Sequence, residues 1–107
     1  MLSGEFEKLL VEVIDETFSS LGESPKQAIL FHLENTFNIE KQEISNKIEA
    51  FDDALKKIFG PGAGFLETLI LNRLYEKAGS IFQGPPPKEA GFIEAIAVVK
   101  RRMEWRL

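Results

Sequence analysis

The chain contains no cysteine. That absence excludes disulfides, thiolate metal sites and cysteine nucleophiles at once. Histidine occurs only at His32, so neither a two-histidine metal site nor a helix-borne HExxH zinc motif can be assembled. No stretch approaches the run of about 20 apolar residues that a membrane span needs. The opening Met1-Leu2-Ser3-Gly4-Glu5-Phe6-Glu7-Lys8 is mixed and acidic, without the basic tip and apolar centre of a secretory signal. A basic excess is missing too. The formal net charge is −4, whereas a dedicated nucleic-acid binder usually presents a basic surface. The expectation is a cytoplasmic domain without a membrane span.

What is present suffices for one core. The 107 residues are 44% hydrophobic, which fits a single domain somewhat below the modal size. Charge is uneven along it: residues 1–60 carry a net −6 and residues 61–107 a net +2.

The apolar pattern predicts helices throughout. Phe6, Leu9, Leu10, Val13, Ile14, Phe18 and Leu21 recur at three- and four-residue spacing, giving one stripe that ends at Gly22. Ser24, Pro25 and Gln27 then read as cap, first helical residue and capping-box partner of a second helix. Its apolar residues are Ala28, Ile29, Leu30, Phe31, Leu33 and Phe37, and it frays near Asn38. Residues 39–44 read as a connector or single turn with Ile39 and Ile44 tucked inward. Asn46 and Glu49 form a second capping-box candidate, opening a third helix whose inner face is Ile48, Phe51, Leu55, Ile58 and Phe59.

Gly60-Pro61-Gly62-Ala63-Gly64 separates that helix from a fourth, which Pro61 can begin. Phe65, Leu66, Leu69, Ile70, Leu71, Leu74 and Tyr75 cover most of the circumference of this fourth helix, the mark of a central, deeply buried one. Gly79 stops it. Residues 83–87, Gln-Gly-Pro-Pro-Pro, form a stiff extended spacer, and a last helix runs from about Lys88. The fold expected is therefore all-α, a compact bundle of about five helices with the last one following a proline-rich spacer. The organisation expected is a core over 1–82, a spacer over 83–87 and a C-terminal helix over 88–107, the last belonging to the same domain or to its oligomer interface.

Four segments also carry a family likeness: Ser20-Leu21-Gly22-Glu23-Ser24, Ala28-Ile29-Leu30-Phe31-His32-Leu33, Phe59-Gly60-Pro61-Gly62-Ala63 and Leu74-Tyr75-Glu76-Lys77-Ala78-Gly79. Over roughly residues 18–79 the chain resembles a family of small, largely uncharacterised archaeal helical domains. That resemblance implies an output or accessory domain, of a kind sometimes attached to signalling proteins, in an archaeal cytoplasm, and favours an interaction or regulatory role. Its motifs are structural, so it implies no active-site residues.

The chemistry legible in the residues is sparse. His32 falls at the margin of the second helix's inner face and reads as a packed histidine. Asp15-Glu16 and Asp52-Asp53 are adjacent pairs, and adjacent helical residues point about 100° apart. Asp52 and Lys56, at i and i+4, read as an ordinary pair on a solvated face. The glycines at 60, 62 and 64 stand before a helix, where phosphate cradles occur. They lack the lysine and hydroxyl of a P-loop, and Pro61 removes one donor. Steric roles are expected instead: a left-handed stop after Phe59 and a close approach of two helices. No catalytic, cofactor-binding or metal-ligating residue is assigned, and no cofactor is expected.

The last helix is the candidate for function. Phe92, Ile96, Val99, Met103 and Leu107 form an inward stripe, while Val98 and Trp105 lie opposite it, flanked by Arg101 and Arg102. Tryptophan and arginine are enriched where interfaces bind tightly. Val98, Arg101, Arg102 and Trp105 are therefore the expected partner-binding residues of a non-catalytic interaction or regulatory module, acting on a protein partner or as a homodimer. Lys100, Arg101, Arg102 and Arg106 also make a weaker nucleic-acid reading, and a ligand pocket or enzyme site near the hinge is the least favoured.

Overall fold

The computed structural model describes residues 4–78 and 91–105, with side chains to Met103. Five α-helices follow in order: α1 (Glu5–Ser20), α2 (Glu23–Asn35), α3 (Ile48–Phe59), α4 (Ala63–Ala78) and α5 (Phe92–Trp105). No strand occurs among the described residues. Among the described residues the architecture is an all-α bundle of five helices. The expected spacer at 83–87, the stop at Gly79 and the residues of the last helix before Gly91 lie outside the described residues.

The core gathers the predicted stripes. Phe6, Leu10, Val13, Ile14 and Phe18 of α1 are buried, and so are Phe51, Ala54 and Leu55 of α3 and Leu66, Ile70 and Leu74 of α4. Helix α4 packs on α1, α3 and α5. Ile39 and Ile44 both turn inward, the first just before a 3₁₀ segment (Lys41–Asn46) and the second within it. Its start is fixed by a reciprocal capping box between Glu40 and Glu43. Asn38 precedes it at φ 58, a left-handed conformation that asparagine tolerates better than most residues.

Helix boundaries follow backbone conformation more than the expected caps. Gly22 adopts φ 112 and ψ 157, open only to glycine. Its N–H donates to the Ser19 carbonyl, and its own carbonyl accepts from Lys26 N–H. One glycine thus ends α1 and caps α2, displacing the expected Ser24 cap. Pro25 falls inside the first turn of α2, where its missing N–H breaks no helical bond. Gln27 Nε2 donates to Glu23 Oε2 at 2.9 Å rather than completing a capping box. At α3 the N-cap is Lys47, without a side-chain cap, so the Asn46–Glu49 box does not form.

Three large apolar side chains among the described residues leave the expected core. Phe31 is 61% exposed and Phe65 70% exposed, and Leu21 is exposed as well. Helix α4 is therefore one-sided: Phe65, Thr68, Asn72 and Glu76 form its solvent face. Ion pairs tie the exposed rims together. Asp15 Oδ1 on α1 takes Lys26 Nζ at 3.1 Å and Lys41 Nζ at 3.0 Å. Lys77 on α4 reaches Glu12 at 3.1 Å and Glu16 at 3.2 Å.

Candidate functional site

Helix α5 docks by the stripe its spacing predicts. Phe92, Ile96 and Val99 are buried, with Ala95 beside them, and Met103 is half-buried. The Phe92 ring sits 6.4 Å from Phe51 of α3. On the other side of the helix Arg101 and Arg102 are exposed and Val98 is half-buried. Two of the expected partner-binding residues are thus on the surface, with Val98 at the boundary. The Trp105 side chain, Arg106 and Leu107 lie outside the described residues. Lys100 does not join the arginines, because its Nζ is drawn to Glu7 Oε2 of α1 at 3.8 Å.

A second cluster was not anticipated. Asp52 of α3 and Glu67 of α4 are both buried, at 5% and 9% exposure. The reading of Asp52 as part of a solvated face is therefore wrong, although its partner is the expected one: Lys56 Nζ donates to Asp52 Oδ2 at 3.0 Å. Only the lysine end of that pair is in solvent. Asp52 and Glu67 face each other as hydrogen-bond partners. No donor group among the described residues meets Asp52 Oδ1 or Glu67 Oε2. A proton shared between the two carboxyls would supply one.

The electrostatics place that proton on Glu67. Burial raises the Glu67 pKa most, the hydrogen bond to Asp52 and its negative charge raise it further, and Lys56 offsets them in part, leaving it at about 8. Burial also pushes Asp52 upward, but hydrogen bonds from Glu67 and Lys56 outweigh it and hold that carboxyl below its ordinary value. One acid and one carboxylate share the site, as expected when two like charges approach in a poorly solvated place. The pair borders a cavity of about 460 Å³ whose far wall is the start of α5, Gly91 to Glu94.

Both carboxylates stand at apolar-stripe positions, and that was the available signal. Asp52 lies between Ile48 and Leu55 on the inner spacing of α3, and Glu67 between Ala63 and Ile70 on that of α4. An acidic residue inside a buried stripe needs a partner. Each supplies the other's.

The remaining candidates separate cleanly. His32 is exposed, its ring edge-on to Phe31 at 6.0 Å, rather than packed inside. At the hinge, Gly60 has φ 56 and ψ −128, so the expected stop is present. Pro61 lies in a 3₁₀ turn (Gly60–Gly62) and α4 begins at Ala63. A Cβ on Gly64 would meet nothing within 4 Å, and one on Gly62 only Phe59 Cβ at 3.8 Å. Close helix approach is therefore not what these two glycines serve. Among the described residues there is no group of three or more histidine or acidic side chains suited to a metal ion. Nor is any described helix long and apolar enough to cross a membrane.

No family model, no curated protein and no solved structure matches this chain.

Proposed function

We propose that this chain is a non-catalytic helical interaction module that pairs with a second copy of itself through the outer face of α5. The observation that supports this reading most is the two-sidedness of that helix. Its inner stripe is occupied by the bundle, while Arg101 and Arg102 remain exposed beside half-buried Val98. Val98 and Trp105 act as apolar anchors, and the arginines bind carboxylates at the rim. The net −6 of residues 1–60 offers such carboxylates on a second copy. In a cytoplasmic setting the module serves a regulatory or signalling-accessory role, the role implied by the resemblance to archaeal helical domains.

The test is the solution mass across a concentration series, by size exclusion with light scattering. A dimer is expected for the native chain, and a monomer of unchanged helicity for the Arg101→Glu, Arg102→Glu double variant. Trp105→Ala weakens the dimer without reversing charge. A native monomer at every concentration, or a dimer indifferent to these changes, overturns the proposal.

A further inference from the structure

The Asp52–Glu67 pair has a place in the fold that a merely tolerated polar contact lacks. It lies where three helices meet. Asp52 and Lys56 come from α3 and Glu67 from α4, and the wall opposite them is the first turn of α5. That turn carries Phe92, whose ring packs on Phe51, the residue next to Asp52. It also carries Glu94, an exposed carboxylate bordering the same cavity. We propose that Asp52 and Glu67 form a proton-binding site that couples pH to the docking of α5 on the bundle.

With one proton bound, Glu67 donates to Asp52, Lys56 balances the Asp52 carboxylate, and the buried pair carries no uncompensated charge. Release of the proton to solvent leaves two buried carboxylates facing each other, with the single Lys56 ammonium against both. The charged groups around Glu67 are then Asp52 and Lys56 from α3, with Asp53 acting on Lys56 from one residue further on, and Glu94 from α5. Three carboxylates line the cavity against one ammonium. The amide end of α5 has the opposite sign and favours anions in its first turn, but Glu94 on that same turn offsets it. Two like charges in a poorly solvated space separate or draw in water. The wall free to yield is α5, because α3 and α4 are joined through the short turn Gly60–Gly62. The release falls near neutral pH, since burial and Asp52 bring the Glu67 carboxyl to about 8.

The site itself is read by carbon-detected NMR titration of the Glu67 carboxyl in the native chain. A midpoint above about 7 is expected, and one near the ordinary glutamate value of about 4.3 overturns the proposal. The coupling is read by hydrogen exchange of the α5 amides from about pH 6 to about pH 9, corrected for the intrinsic base-catalysed rate. Protection of α5 is expected to fall several-fold more than that of α1 in the native chain. In Glu67→Gln the amide donates to Asp52 permanently, so the fall is expected to vanish. Should that variant fold poorly, Asp52→Asn serves instead: Glu67 loses its charged neighbour, its titration moves down, and its ionised carboxylate then faces only an amide and Lys56, so the fall is expected to vanish there too. Equal loss in α1 and α5, or native-like loss in the variants, overturns the coupling. This inference stands apart from the proposed self-association, and a monomeric chain would leave it intact.

Discussion

Phe92 of α5 rests against Phe51 of α3, ring centres 6.4 Å apart, and through that contact the C-terminal helix joins the core. Phe51 is fully buried and Phe92 nearly so. Truncating the second ring removes both its transfer energy and its packing partner. Phe92→Ala is expected to cost about 3–5 kcal/mol, a large part of the 5–15 kcal/mol that roughly bounds a domain of this size. Phe65→Ala removes a ring that is 70% exposed, and its effect should stay within about 0.5 kcal/mol. Urea midpoints of the two variants check the contrast. A small loss for Phe92→Ala would mean that α5 contributes little to the core.

The two ends of the hinge respond oppositely to alanine. Gly60 holds φ 56 and ψ −128, a conformation that costs an L-residue about 1–3 kcal/mol. Gly64 sits in α4 with open space where a Cβ would stand, and there alanine is the better helix former by up to about 1 kcal/mol. Gly60→Ala should therefore lower the melting temperature and Gly64→Ala should hold or raise it. A loss at Gly64 comparable to that at Gly60 would show that the glycine serves contacts beyond the chain's own backbone.

How much of this was legible follows from what the residues compete for. The stripes of α1, α3 and α5 were readable because an apolar face at helical spacing has only the core to go to. The inward turn of Ile39 and Ile44 was readable for the same reason, even in a connector. Phe31 and Phe65 were misplaced because α2 and α4 carry more apolar residues than one face can bury, and a wheel does not say which are left over; Leu21 was misplaced because α1 ends at Ser20, just before it. The caps at Ser24 and Asn46 failed because a side-chain oxygen competes with backbone geometry, and Gly22 ended one helix and began the next by itself. Asp52 was misjudged because its Lys56 partner matched a surface pattern, and only the tertiary approach of α3 and α4 brings Glu67 opposite it.

Asp15 links α1 to α2 and to the 3₁₀ segment through two lysines. Hydrogen bonds from Lys41 and then Lys26 hold its pKa below 3.8. Its folded value is depressed, so its contribution is present above 3.8 and lost as pH falls through the lower folded value. The side chain is 34% exposed, and the contribution should be no more than about 1 kcal/mol. Asp15→Asn is expected to be less stable than the native chain near neutrality, with the gap closing in acid. A gap that persists in acid would assign the loss to packing instead of charge.

Glu67 has the opposite sign, and stability should record it. Its folded pKa, about 8, stands above the ordinary 4.5. Between those two values the folded chain keeps a proton that the unfolded chain has released. Raising the pH across that window therefore favours unfolding, by up to about 1.4 kcal/mol per unit. Below 4.5 both states hold the proton and above about 8 neither does, so the slope from this group vanishes on both sides. Glu67→Gln deletes the titration while keeping a donor toward Asp52. Urea unfolding at about pH 5, 7 and 9 should show the native chain losing stability toward alkali and the variant losing markedly less. Parallel losses in the two proteins would mean that the buried carboxyl is already ionised in the folded state, and that the two oxygens without donors are satisfied by something other than a shared proton.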